Sequence, residues 1–179
     1  MDTKKSIDWK REIPRITQPD GAVVYDCDIF GGDKVNFEKI ECLRISGNLA
    51  VGKYFSATSI SVGEDAFIGE DASICNNIEA IGDVYLGDDC DVVDIIASGS
   101  IYAGNLIFCR DIYCNCNVSF GDDADACNVW ALGDVSFGSY ADVKCVVSDG
   151  NVSFKDNAYT GDVTGKGDIS FGIDHLIVY

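Results

Sequence analysis

The residues best suited to metal or redox chemistry are nine cysteines and a single histidine, His175. The densest group of thiols is Cys109, Cys114 and Cys116, but this group lacks the spacing of a zinc knuckle and has no histidine near it. Cys90 and Cys109 instead occupy positions at which related segments carry Ala, Ile or Val. We therefore expect most of the cysteines to be small buried hydrophobic residues in a reducing cytosol, and we expect neither a metal ion nor a cofactor.

Acidic and amide side chains recur at regular positions, and their oxygen atoms are the ligands that calcium prefers. One column contains Asn48, Asp83, Asn117, Asp134, Asn151 and Asp168, and a second contains Asp94, Asp111 and Asp162. Asp and Asn at corners usually cap turns, and the calcium-binding nonapeptide Gly-Gly-x-Gly-x-Asp is absent from the sequence. An acidic rod that binds a ligand or metal is therefore an alternative and not the main interpretation.

Hexapeptide patterns indicate a second alternative, a left-handed β-helix acyltransferase. Val62-Gly63, Ile68-Gly69 and Ile74 are six residues apart, and residues 137–143 also fit the hexapeptide pattern. Enzymes of that kind typically use a histidine as the base, whereas His175 falls in a column of alanines. We therefore expect no catalytic residues and no enzyme.

The elements that position these residues are copies of one phrase, Gly133-Asp134-Val135-Ser136-Phe137-Gly138. From Gly82 onward the step between copies is 17 residues, and one extra residue falls near Asn76-Asn77. A fixed short period predicts a solenoid. The copies begin at Gly47, Gly82, Gly99, Cys116, Gly133, Gly150 and Gly167, with a weaker copy from Glu64 to Gly69.

Alignment at this period predicts three short strands in each coil. On the first side, positions equivalent to Val135 and Phe137 are apolar, while the position of Ser136 between them varies. The second and third sides carry apolar columns that include Ala126 and Val129. We therefore predict an all-β, single-stranded parallel β-helix of roughly eight coils, about 38 Å long. Its corners carry Gly, Asp and Asn, where a positive φ or a side-chain cap is needed.

Charge separates the start of the chain from the rest. The net charge of -17 disfavours binding to nucleic acid, yet five of the thirteen basic residues lie within the first fifteen positions, among Ile7, Trp9 and Ile13. Residues 1–19 are therefore predicted to form a basic N-terminal arm that is disordered or folds back over the acidic rod. A weak contact of this arm with a membrane surface is the alternative. No stretch of the sequence is long enough to span a membrane.

The two ends of the predicted β-helix (residues 20–179) differ. Residues 20–46 predict irregular initial coils, as terminal repeats often are, whereas residues 47–179 predict regular coils. We expect the last coil to be uncovered, and an open parallel edge is a template for another chain. The predicted self-association surface, with a two-fold dimer favoured over a filament, consists of His175, Leu176, Ile177, Val178 and Tyr179.

Two outward columns are apolar. On the third side, four successive coils place Ile96, Tyr113, Trp130 and Val147 outward, a set that we call the lateral stripe. Phe67, Tyr85 and Tyr102 form a shorter aromatic ladder on the first side. Either set could be a stabilising stack, but contiguous exposed apolar patches are uncommon on monomers. The lateral stripe is therefore a candidate contact surface.

The repeated Gly-Asp-Val-x-Phe-Gly phrases, the 17-residue winding and the short tail before the rod resemble the bactofilins, the bacterial polymer-forming cytoskeletal proteins. The resemblance covers about residues 47–172, and the chain departs from it in its many cysteines and in its irregular initial coils. It implies a right-handed β-helix that needs no nucleotide and polymerises end to end into scaffolds at the membrane. We therefore expect a non-catalytic cytoplasmic scaffold that associates with itself as a dimer or filament.

Overall fold

The computed structural model describes residues 16–17, 22–25 and 29–177, and every regular element in these ranges is a β-strand. Almost all strands pair in parallel with the strand one coil away, so the predicted all-β parallel solenoid is confirmed. In the described ranges no helix is long and apolar enough to cross a membrane. The expected right-handed winding stays a prediction.

The strands are short and follow one another along the whole described chain. The first eleven are β1 (Ile16–Thr17), β2 (Val23–Tyr25), β3 (Ile29–Phe30), β4 (Asn36–Phe37), β5 (Leu43–Ile45), β6 (Leu49–Val51), β7 (Ser56–Ala57), β8 (Ile60–Val62), β9 (Ala66–Ile68), β10 (Ser73–Ala80) and β11 (Val84–Leu86). The others are β12 (Asp91–Ala97), β13 (Ile101–Ala103), β14 (Phe108–Cys114), β15 (Val118–Phe120), β16 (Asp125–Ala131), β17 (Val135–Phe137), β18 (Asp142–Ser148), β19 (Val152–Phe154), β20 (Tyr159–Gly165), β21 (Ile169–Phe171) and β22 (Leu176–Ile177).

The first side of the solenoid is a sheet of nine strands, which we call the narrow sheet; it runs from β3 to β21. Each coil contributes one strand to this sheet, so the described chain makes nine coils: the eight counted at the 17-residue period, and one more within residues 20–46, where the sequence analysis expects irregular initial coils. The additional coil contains β3, in which Ile29 pairs with Leu49 of β6. Its offset of 20 residues hides it from a search at a period of 17.

The second and third sides form one sheet of thirteen described strands, the wide sheet. From β10 to β20 the two predicted short strands of each coil are joined into one strand of seven or eight residues. In β16 the buried residues are Ala126, Val129 and Ala131, so a gap of three residues precedes a gap of two. The broken alternation marks the corner at which the strand bends while its pairing with the neighbouring coils continues.

The core is the set of inward columns that the 17-residue alignment predicts. On the first side Val84, Ile101, Val118, Val135 and Val152 are all buried. The third-side column is equally buried and contains Ile60, Ile78, Ile95, Ile112, Val129 and Val146. Apolar side chains of successive coils therefore form continuous interior stacks, and burial of that apolar surface is the main favourable term in folding.

Two irregularities in register have identifiable positions. The pairs Val23 with Leu43 and Asn36 with Ser56 are both offset by 20 residues, which places three additional residues between Phe37 and Leu43 in the first described coil. The strand β10 has a register shift between Ile74 and Asn77, which confirms the extra residue expected near Asn76-Asn77. The shift lies at the bend of the strand, where the alternation is already broken.

The corners correct one prediction about glycine. The described non-glycine residues with positive φ form one column, one residue in each coil, that includes Leu106 and Tyr140 as well as several Asp residues. None of the glycines from Gly52 to Gly172 has a φ in that region, so glycine is not required there for its backbone freedom. A Cβ on Gly138 would instead overlap Asp122 Oδ1 and the carbonyl group of Gly121 in the preceding coil. Close approach between coils is therefore what requires glycine.

We predict that Val135→Asp prevents folding or causes aggregation, because Val135 is only 1% exposed and an unpaired buried charge costs several kcal/mol. The matched control is Ser136→Asp, one residue along the same strand on the outward side. Circular dichroism and thermal melting should show loss of structure in the first variant only. A normally folded Val135→Asp protein would mean that the inward register is wrong.

Candidate functional site

The acidic and amide corner residues form a hydrogen-bonded ladder that runs along one edge of the narrow sheet. Asn117 Oδ1 accepts a hydrogen bond from the backbone N–H of Asp134 at 2.9 Å, and Asp134 Oδ1 accepts one from Asn151 N–H at 2.7 Å. The same pattern joins Asn151 to Asp168, and Asp83 to Ser100. Each side chain therefore caps a backbone amide in the next coil, 17 residues further on.

A second ladder, which the sequence analysis did not identify, follows the other edge of the narrow sheet. Asp88 Oδ1 accepts from Asn105 N–H, Asn105 Oδ1 from Asp122 N–H, and Asp122 Oδ1 from Ser139 N–H, at 2.7–2.8 Å. The sequence does contain a signal for this ladder, because an Asp or Asn directly follows Gly87, Gly104 and Gly121. Asp or Asn follows glycine there for the same reason as in the first ladder.

These ladders determine what the carboxylates can do chemically. One oxygen of each ladder residue is already held by a backbone amide, and the alternation of Asp with Asn shows that the negative charge is not needed for this contact. In the described part of the chain no group of three or more His, Cys, Asp or Glu residues is arranged to hold a metal ion. The column geometry therefore favours caps over calcium ligands.

The remaining acidic column lies at the bend of the wide sheet and pairs with a cation. Arg110 binds Asp94 Oδ2 through Nη2 at 2.6 Å and Asp111 Oδ2 through Nε at 3.2 Å. Asn128 Nδ2 donates to Asp111 Oδ1 at 2.7 Å. Among the described side chains Asp94 Oδ1 is buried without a hydrogen-bond partner. The group joins three coils by polar contacts, although the exposure of Arg110 limits what the ion pairs contribute to stability.

Cys90 and Cys109 are confirmed as core residues, but the expectation that most of the cysteines are buried is wrong. Of the eight described cysteines only Cys90, Cys109 and Cys114 are buried, because the others lie at outward positions or at the bend of their coils; Cys42, Cys127 and Cys145 are half-buried, and Cys75 and Cys116 are exposed. Cys90 and Cys109 are 1% and 8% exposed, and burial raises the pKa of the Cys90 thiol to about 11 and that of Cys109 further. Cys114 is also buried, with its Sγ 3.1 Å from the carbonyl oxygen of Gly99, whereas Cys116 is exposed. The raised pKa values of Cys90 and Cys109 keep these two thiols protonated and poorly nucleophilic.

The last coil exposes residues whose equivalents are buried in earlier coils. Ile169, Phe171 and Ile177 lie in inward columns but are 41%, 38% and 45% exposed. Leu176 faces outward and is also exposed. Among the described residues the narrow sheet ends at β21 and the wide sheet at β22, each paired on one side only. Of the predicted self-association surface, Val178 and Tyr179 lie outside the described residues.

His175 lies across this end of the interior, in the column of Ala124, Ala141 and Ala158 as predicted. Its ring stacks on Phe171 with a centroid distance of 3.8 Å, and its Nε2 lies 2.8 Å from Thr160 Oγ1. Loss of solvent around the ring lowers the pKa of His175, which favours the neutral form. His175 thus extends a stack of Phe120, Phe137, Phe154 and Phe171 that runs along the interior.

The lateral stripe lies on the outer surface of the wide sheet as predicted. Ile96, Tyr113, Trp130 and Val147 pair in register on four neighbouring strands. The rings of Tyr113 and Trp130 stack at 4.7 Å with an interplanar angle of 8°. Exposed Ile81 and Leu132 lie beside the stripe, two residues beyond Glu79 and Trp130, and widen the apolar surface. Sequence reasoning missed both, because a single apolar residue at a strand end carries no periodic signal.

The aromatic ladder on the narrow sheet differs from the stripe. Phe67 stacks on Tyr85 at 4.6 Å and Tyr85 on Tyr102 at 5.1 Å, so most ring faces are covered by one another. The hydroxyl group of Tyr85 donates to Asp83 Oδ2. Burial and this hydrogen bond both raise the pKa of Tyr85. Phe67 and Tyr102 are about as exposed as the residues of the stripe, so the ladder differs from the stripe in its continuous ring stacking and not in its exposure.

No protein-family model, curated protein or solved structure matches this chain.

We predict that Asp134→Asn leaves the melting temperature nearly unchanged, because the amide oxygen can still accept the hydrogen bond of Asn151. Asp134→Ala removes the acceptor and should destabilise the fold by about 1 kcal/mol. Thermal melts with and without millimolar calcium provide the measurement, and calcium should shift none of the three proteins. A calcium-induced rise of several degrees that Asp134→Asn abolishes would instead identify a metal site.

We predict that Trp130→Ser weakens self-association while it leaves the fold intact, because it removes the largest ring of the lateral stripe. Light scattering over a concentration series measures association, and thermal melting measures stability. Tyr85→Ser, which removes a stacked ring from the other ladder, is the matched control and should not change association. If Trp130→Ser lowers only the melting temperature, the stripe is a stabilising stack worth about 0.5–1.5 kcal/mol.

Proposed function

We propose that this protein is a non-catalytic, bactofilin-like structural scaffold that associates with itself through the last coil of its β-helix. The observation that carries the proposal is the exposed apolar end, where Ile169, Phe171 and Ile177 occupy inward columns without a following coil above them in the described chain. A solenoid interior that opens to solvent at one end is a surface that a second copy can cover.

Two kinds of interaction support association at this end. Covering the exposed parts of the three inward side chains would stabilise a dimer by roughly 1 kcal/mol each. The free edges of β21 and β22 also carry backbone groups that a second strand can satisfy, at about 1 kcal/mol for each net hydrogen bond. These gains must exceed the loss of translational and rotational freedom, so the contact has to extend over the whole face of the coil.

The difference between the two ends favours a closed dimer over an open filament. At the amino-terminal end β1 pairs antiparallel with β2, which interrupts the parallel series of the wide sheet. A head-to-tail filament requires the two ends to fit each other, whereas a two-fold contact uses the same face twice and stops after one step. A two-fold axis perpendicular to one edge strand also makes that strand antiparallel to its copy, which is a favourable pairing.

The lateral stripe is the second surface in this proposal. It runs parallel to the solenoid axis, so a contact through it would place rods side by side, whereas the end contact would join them along the axis. The bactofilin-like character of the proposal depends on the repeated phrases and the winding. We place the protein in the cytoplasm because thiols such as those of Cys90 and Cys109 are packed in the core without a disulfide bond.

We predict that Ile177→Lys gives a monomer, because a two-fold contact would bring the two introduced cations close together at the covered end. Phe108→Lys, at an exposed position in the middle of the rod, is the control and should keep the parent mass. Size-exclusion chromatography with light scattering measures both masses. If Ile177→Lys keeps the mass of a self-associated parent, the last coil is not the interface and the lateral stripe becomes the better candidate.

A further inference from the structure

A shallow groove of about 480 Å³ lies on the outer surface of the wide sheet over the first coils. Its floor is one outward column that pairs in register and consists of Val24, Arg44, Ser61, Glu79 and Ile96, so it combines apolar residues with one residue of each charge. One wall is formed by Ser46, Gly63, Ile81 and Ser98. Ile81 is 69% exposed and Ile96 is exposed as well, so the groove presents aliphatic surface to solvent.

The strand β1 lies beside this groove. Ile16 pairs with Val24 and Thr17 with Val23, in antiparallel register. Ile16 is therefore the residue of β1 that lies towards Tyr25, whose carbonyl oxygen accepts a hydrogen bond from Ser46 N–H in the groove wall. The first residue of β1 is thus its residue nearest to the groove wall.

The chemistry of residues 1–15 matches this part of the surface. They contain the apolar residues Ile7, Trp9 and Ile13, with five basic and three acidic residues. The rest of the chain has eight basic and 27 acidic residues, so it repels anions and attracts a cationic segment. The corner directly beyond the groove carries Glu64, Asp65 and Asp83, which gives the groove an acidic border. This border and Glu79 outnumber the single cation of the floor, Arg44.

The length of this segment is sufficient. Fifteen extended residues reach about 50 Å, at roughly 3.3 Å for each residue. The groove extends over four coil steps from Val24 to Ile96, which is about 19 Å at roughly 4.8 Å for each step. The segment can therefore follow the groove and still place charged residues at its border.

We propose that residues 1–15 of this chain bind in the groove, with apolar side chains such as Trp9 over Ile81 and Ile96 and basic side chains at the acidic border. The bound segment covers the first coils of the wide sheet and leaves Tyr113, Trp130 and Val147 of the lateral stripe open. It is thus an intramolecular cover at the end of the rod opposite to the proposed dimer contact.

The test uses the fluorescence of Trp9 in the full chain, in a Trp130→Phe background that leaves it as the sole tryptophan. Acrylamide quenching should be weak in this parent and severalfold stronger in Ile81→Lys, because the introduced charge repels the cationic segment. Leu132→Lys is the matched control, since Leu132 holds the position equivalent to Ile81 three coils later, outside the groove. It should leave quenching unchanged, and both variants should melt like the parent because both side chains are exposed.

Three results would overturn the proposal. Equal quenching in Ile81→Lys and Leu132→Lys would show that the groove does not hold Trp9. Protection that disappears on dilution would assign the bound segment to a second copy. A Trp9 that is accessible in the free protein, and protected only by vesicles containing phosphatidylserine and not by phosphatidylcholine alone, would show that the segment binds an anionic membrane instead.

Discussion

The close approach of each corner to the corner one coil earlier is the constraint on which the rest of this structure depends. At the edges of the narrow sheet the backbone amide of one coil meets an Asp or Asn oxygen of the preceding coil, as Asp134 meets Asn117. The residue before it has no room for a Cβ, as at Gly133 and Gly138. These contacts fix the rotation of successive coils, and a residue in one coil therefore lies directly above its equivalent 17 positions earlier.

Exact superposition of coils turns the sequence into columns, and columns are the units in which this molecule can present a surface. A change at one outward position alters one step of one such column. The interior stack from Phe120 to Phe171, the aromatic ladder around Tyr85 and the lateral stripe around Trp130 are three such columns with different environments. Only the stripe combines exposure with neighbours, Ile81 and Leu132, that make it wide enough for a partner.

Periodic features of the fold could be predicted from the sequence, and features that depend on a single coil could not. The columns of Val135 and Phe137 repeat in many copies, and each copy indicates independently that these side chains point inward. The positive φ of Leu106 and Tyr140 follows from the position of each residue in its coil, against its own preference, and no local signal reveals it. The antiparallel pairing of Ile16 with Val24 is likewise a single event that depends on the geometry of the first coil. For the candidate site, the positions of the stripe and of His175 follow from the period, whereas the groove beside Ile81 arises only when several coils are assembled.

The two ends of a solenoid differ in structure, and this difference explains why we propose a different contact at each end. Every internal coil is stabilised by a neighbour on each side, so the first and last coils have the weakest support in the rod. At the first coil, the longer winding between Phe37 and Leu43 and the antiparallel β1 end the parallel series. At the last described coil, the series of parallel strands and the interior aromatic stack continue to the edge and end at His175 and Ile177. A cover from the same chain at one end and from a second copy at the other would supply the neighbour that each end coil lacks.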